Sequence, residues 1–168
     1  MGLINFLRNV FSRKKDMFKL NYSAVMIEAT SGTETIFSAR YIFDKIDPSF
    51  RRFYEPSKAT PRISLVPFEL QKDATFREMF EWIAKKFEKG LDDLCLTQHQ
   101  IKEVAKLYPT WLGKSGAGTF ILFKSKGQFW VAEISAKADG DLLIGMFILD
   151  YPSEWLSEFH HIVVVPKS

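Results

Sequence analysis

The stretch Trp111–Phe120, WLGKSGAGTF, gathers three glycines, a lysine, a serine and a threonine, the residue types that cradle phosphate. Its spacing decides against that chemistry. A Walker loop needs a glycine five positions ahead of its Gly-Lys-Ser, a strand before it and a helix after it. Here Tyr108 holds that place, a helical pattern precedes Gly113 and a β pattern follows. Gly113, Gly116 and Gly118 also reverse the spacing of a dinucleotide fingerprint. Gly113–Gly116 has the form of the GXXG clamp of KH domains, but that clamp joins two helices. The stretch reads as a helix-to-strand connection whose glycines relieve backbone constraint.

Imidazoles, carboxylates and the thiol come next. Cys95 and His99 stand four apart, a spacing for a thiol–imidazole pair. Thr97 starts a helix between them, so they need not share a face. Cys95 reads as a small buried apolar group and His99 as a solvated first-turn residue. Glu154, Glu158 and His161 fall at i, i+4 and i+7. With His160 they are the candidate catalytic residues for a small hydrolase or nuclease, or two carboxylates and an imidazole for a metal. The β-branched run Ile162–Val165 ends any helix there, so a solvated face outweighs a site. Asp139–Gly140–Asp141 resembles a calcium-loop fragment without its remaining ligands, and a turn suffices. No cofactor or metal is called for.

Two surface features carry more weight. The loop around Phe50, Arg51, Arg52, Phe53, Tyr54 and Arg62 interleaves cations with aromatic rings, which suits phosphate, single-stranded nucleic acid or an acidic protein. Its acids, Asp44, Asp47 and Glu55, favour a self-paired loop, and nucleic acid is disfavoured as a partner. The N-terminal segment sets Leu3, Phe6, Leu7, Val10 and Phe11 at helical spacing, with Arg8, Arg13, Lys14 and Lys15 as its charges. A basic amphipathic helix of this kind docks on an anionic membrane or in a partner's groove. Its apolar positions are too interrupted for a signal peptide, and Phe6 stands where myristoylation needs Ser or Thr.

The elements that hold these groups follow from periodicity. Two strands around TSGTE form a hairpin within residues 20–44. Residues 44–61, with three prolines, make a long surface loop. Residues 62–70 form a strand in which Pro67 indicates an edge or bulge. Thr75 and Glu78 make a capping box for a helix with Phe76, Phe80, Ile83, Ala84 and Phe87 on its apolar face, stopped by Gly90. A second box, Thr97 and Gln100, opens a helix running to Pro109. Three strands joined by Lys126–Gly127 and Ala138–Asp141 follow, then a brief helix capped by Ser153 and a last strand.

The order indicates an α+β fold: a mostly antiparallel sheet packed against two central helices, with an N-terminal amphipathic helix and a short C-terminal helix. Residues 1–18 form the basic segment and residues 19–168 a single domain. The chain has 168 residues and net charge +3, and residues 1–15 hold four cations and no acid. The remainder carries 19 basic against 20 acidic groups, so the basic character belongs to the N-terminus. One cysteine allows no internal disulfide and fits a cytoplasmic setting, reaching the inner face of a membrane through the N-terminal segment. Phe accounts for 16 residues, which implies a bulky core or a cavity for a small apolar ligand. The leading expectation is a non-catalytic module that docks on a protein partner or an anionic membrane. A hydrolase or nuclease and an apolar-ligand carrier are the alternatives.

Overall fold

The computed structural model describes residues 16–20, 23–114 and 116–167. The expected N-terminal amphipathic helix lies outside the described residues. The rest is a mixed α+β fold built on one large sheet. Its strands are β1 (Phe18–Leu20), β2 (Val25–Ile27), β3 (Lys45–Ile46), β4 (Ile63–Leu70), β5 (Gly113–Lys114), β6 (Thr119–Ser125), β7 (Gln128–Ala136), β8 (Leu142–Ile148) and β9 (Ile162–Pro166). The order across the sheet is β1-β4-β9-β6-β7-β8-β3, with β2 also on β4 and β5 on β7. The pairs β6–β9, β3–β8 and β5–β7 are parallel and the others antiparallel.

Strand alternation sorts side chains into two cores. Phe120, Leu122, Val131, Val163 and Val165 point to one face, where helix α1 (Phe76–Lys86) covers them with Phe76, Met79, Phe80 and Ile83. Ile121, Phe123, Ala132, Ile134 and Val164 point to the other, beneath Ile101, Val104 and Ala105 of helix α2 (Gln98–Leu107). A sheet buried on both faces explains why β9 is apolar throughout.

Both helices start at the capping boxes. Thr75 and Thr97 accept the N–H groups of Glu78 and Gln100, whose side chains accept those of Thr75 and Thr97 in return. The stop of α1 lies before Gly90. Glu88 takes the left-handed conformation at φ 53°, and Lys89 N–H donates to Ala84 O at 2.9 Å, closing a Schellman turn. Lys126 and Gly127, both at positive φ, make the tight β6–β7 turn.

Four local expectations are corrected. No hairpin forms around TSGTE: β2 is followed by a 3-10 turn at Ile36–Ser38, whose Ile36 N–H donates to the Gln98 side chain of α2 at 3.0 Å. Residues 44–61 are not merely a surface loop. They supply β3, a 3-10 turn at Pro48–Arg52 capped by Asp47, and the buried rings of Phe50 and Phe53. Pro67 is not on an edge strand, because β4 pairs on both sides; among the described residues it faces the break between β1 and β2, which pair only with residues 68–70 and 63–65. That break accommodates its missing N–H. The short C-terminal helix is only a 3-10 turn at Ser157–Phe159, because the backbone of Trp155 is bridged to Ala74 and Ser157 is tied to Asp73.

Candidate functional site

Glu154, Glu158, His160 and His161 are not brought to one place. His160 sits at φ 56° after the 3-10 turn, and its Nδ1 lies 2.9 Å from Glu69 Oε1. Lys19 reaches the same oxygen at 3.1 Å. Burial alone would raise the Glu69 carboxyl, but the bonds from His160 and Lys19 outweigh it and hold it below the usual range. His161, the residue before β9, is buried and packs into the aromatic cluster of Phe120, Trp155 and Phe159. Its Nδ1 accepts the Gly118 N–H at 2.9 Å, so the neutral ring carries its proton on Nε2. Among the described residues neither imidazole bonds to Glu154 or Glu158, both exposed, and no three His, Cys, Asp or Glu side chains gather to hold a metal ion.

The glycine stretch acquires a steric reason. A Cβ at Gly118 would lie 2.8 Å from the Phe120 ring and 2.9 Å from Glu133 Oε1. Gly118 N–H is committed to His161 and its carbonyl accepts from Ile162. Gly116 adopts φ +96°. Glycine here makes room for a neighbouring carboxyl and rings.

No motif in the sequence marks that carboxyl. Glu133 lies in β7 opposite Phe120 of β6 and Gly145 of β8, on the α1 face of the sheet. Burial pushes it above the usual carboxylate range. It lines a cavity of about 590 Å³ with Gly116, Ala117, Ser135, Lys137, Asp139 and Leu143.

The basic-aromatic loop is divided. Phe50 stacks on Phe123 at 6.0 Å and Phe53 packs on Trp130 at 5.1 Å, so these rings belong to the core instead of alternating with arginines on the surface. Arg51 lies over Phe37, Arg62 pairs with Glu28, and Arg52 and Tyr54 are exposed. His99 is buried, not solvated. Its Nε2 lies 3.7 Å from Glu34, which is bound by the fully buried Lys102. Cys95 is half-buried, donates to Leu91 O and not to His99, and desolvation pushes its thiol up to about 12. Neither belongs to a nucleophilic pair.

Leu3, Phe6, Leu7, Arg8, Val10, Phe11, Arg13, Lys14 and Lys15 lie outside the described residues. The chain enters the described part at the outer edge of the sheet. There β1 borders an apolar groove of about 430 Å³ lined by Phe18, Leu20, Ala24, Val66, Phe68 and Phe87, with Lys86 and Lys167 on its rim. Leu20 is 62% exposed, and Lys86 Nζ sits 4.6 Å above the Trp82 ring. Among the described residues neither rim lysine has a carboxylate partner. The sequence does not mark either as a binding residue: Lys86 complements the dipole at the end of α1, and Lys167 comes beside it only through β9.

No family model matches the chain, and neither the curated proteins nor the solved structures contain a match to it. Among the described residues no helix is long and apolar enough to cross a membrane.

Proposed function

We propose that this protein is a non-catalytic module that docks on an anionic membrane surface through its N-terminal segment. One observation carries the reading: the segment bearing four cations and an apolar stripe in its sequence runs into β1, at the edge of the sheet among the described residues, beside an apolar groove rimmed by Lys86 and Lys167. Apolar surface ringed by cations suits acyl chains beneath acidic headgroups. Each lysine near such a surface contributes about 1 kcal/mol.

Flotation of the full chain with vesicles of phosphatidylcholine, with and without phosphatidylglycerol, tests this. Binding should require the anionic lipid, weaken with salt, and fall for the R13E/K14E/K15E variant. A chain that stays unbound at low salt, or binds neutral vesicles equally, would refute it. Loss of a specific protein from pull-downs with the same variant, without lipid binding, would favour a protein partner.

The Phe-lined groove also supports a second reading, carriage of an anionic amphiphile. Saturable binding of a monomeric fatty acid, lost in Phe68→Glu, would favour the carrier over the membrane.

A further inference from the structure

The cavity at Glu133 is independent of the N-terminal edge. Its floor is the part of the α1 face beyond the cover of α1 and the Trp155 segment: Glu133, Ser135 and Leu143 from β7 and β8. Ala117 and Gly116 form one wall, and the β7–β8 turn with Lys137 and Asp139 forms the other. The glycines at 118 and 145 leave the Glu133 carboxyl uncrowded: a Cβ at Gly145 would lie 3.5 Å from Oε2, and one at Gly118 2.9 Å from Oε1.

Three facts about that carboxyl point to a ligand. Among the described residues it has no hydrogen-bond donor and no cation, and its oxygens are open to solvent, so a partner for this half-buried carboxyl has to come from outside these residues. The neighbouring Gly118 N–H is already committed to His161, and Lys137 lies near Asp141 at 3.9 Å. The carboxyl also opens onto a space of about 590 Å³, within the size range of small-molecule sites. Ala117, Ala138 and Leu143 supply apolar surface beside it.

We infer that this cavity binds a small organic cation, a primary ammonium on a short apolar chain, with Glu133 as the acceptor of its N–H groups. The ammonium supplies the charge and the donors that Glu133 lacks, and the alkyl chain lies against Leu143 and the alanines. A charge-assisted bond in a partly desolvated site discriminates strongly against neutral analogues of the same shape.

Amide chemical-shift titration of the full chain with n-butylammonium chloride tests the inference, with 1-butanol and sodium butyrate as controls. The ammonium should give saturable shifts at residues 116–118, 133–137 and 143, with affinity about tenfold above butanol, the factor one charged hydrogen bond supplies. Butyrate should give none. Glu133→Gln should remove the preference for ammonium over butanol. Leu143→Phe, which leaves the carboxyl in place and narrows the cavity, should weaken both and decides the matter if the Gln variant does not fold. Equal affinity for ammonium and butanol in the wild-type chain, or no saturation with either, overturns it. Unchanged ammonium binding in either folded variant does so too.

Discussion

The backbone N–H of Gly118 donates to Nδ1 of His161 at 2.9 Å, and this bond fixes an imidazole that is only 2% exposed. Desolvation depresses the ring's pKa from 6.5 to about 4, because protonating it would place a charge among Phe120, Trp155 and Phe159. A group with a depressed folded pKa binds more protons when unfolded. Its stabilising contribution is therefore full above pH 6.5 and is lost as pH falls toward 4. The loss is on the order of 3 kcal/mol. Urea denaturation between pH 7 and pH 4 should show this decline, and His161→Leu, though less stable at pH 7, should flatten it. An equally steep decline in the variant would locate the titration elsewhere.

Glycine replacements should rank by what a Cβ meets. At Gly32, φ is +73° and the new atom would stand 2.3 Å from the Lys58 carbonyl oxygen, which is backbone and cannot move aside. At Gly118 the obstacles are the side chains of Phe120 and Glu133. At Gly90 the nearest atom is Asp93 Oδ2 at 3.6 Å. Gly32→Ala should therefore be the most destabilising, Gly118→Ala should cost about 1–3 kcal/mol, and Gly90→Ala should lie within about 0.5 kcal/mol of wild type. Thermal melts of the three variants check the order, and a Gly118→Ala melt unchanged from wild type would contradict the packing described around Glu133.

Lys102 is fully buried in α2 and pairs with Glu34 and with Glu103, the latter at 3.0 Å. Burial alone would depress its ammonium, but the bonds from Glu34 and Glu103 outweigh it and raise the pKa above the usual lysine range. Lys102→Met should cost about 2 kcal/mol. That is less than for a sealed pair, because the Glu34 side chain is 40% exposed and regains water. The Lys102 bond is also the largest influence lowering Glu34, so its carboxyl should titrate higher in the variant, by carbon-detected NMR. An unmoved Glu34 titration would show that the pair is not formed in solution.

What the sequence revealed were features decided by neighbours in the chain. The Thr75 and Thr97 boxes close over three residues, and Lys126–Gly127 needs only its own backbone angles. What it hid was decided across the fold. Ile36 bends into a 3-10 turn where Gln98, 62 residues away, takes its N–H, and the same side chain donates to Phe53 O. Phe50 and Phe53 look like surface partners of Arg51 and Arg52 until β6 and β7 supply Phe123 and Trp130. Glu133 reads as an ordinary polar residue in an alternating strand. Its exceptional feature, space made by Gly118 and Gly145, comes from the connection leading into β6 and from β8.

Glu133 should make the protein, with no ammonium ligand added, less stable at neutral pH than its neutral isostere does. Its pKa lies above the usual 4.5 when folded, so the folded chain holds a proton there that the unfolded chain has released. Below pH 4.5 both states are protonated and the penalty vanishes; above the folded pKa both are ionised and the penalty is complete. Glu133→Gln keeps the shape and removes the charge. It should raise stability near pH 7 by about 1 kcal/mol, a shift of about 2–4 °C in Tm for a chain of this size, and the gain should disappear as pH falls below 4.5. Paired thermal melts of the two proteins at several pH values measure it. A variant less stable than wild type at pH 7 would mean that a donor already satisfies the carboxylate, and the case for an exogenous cation in that cavity would fall with it.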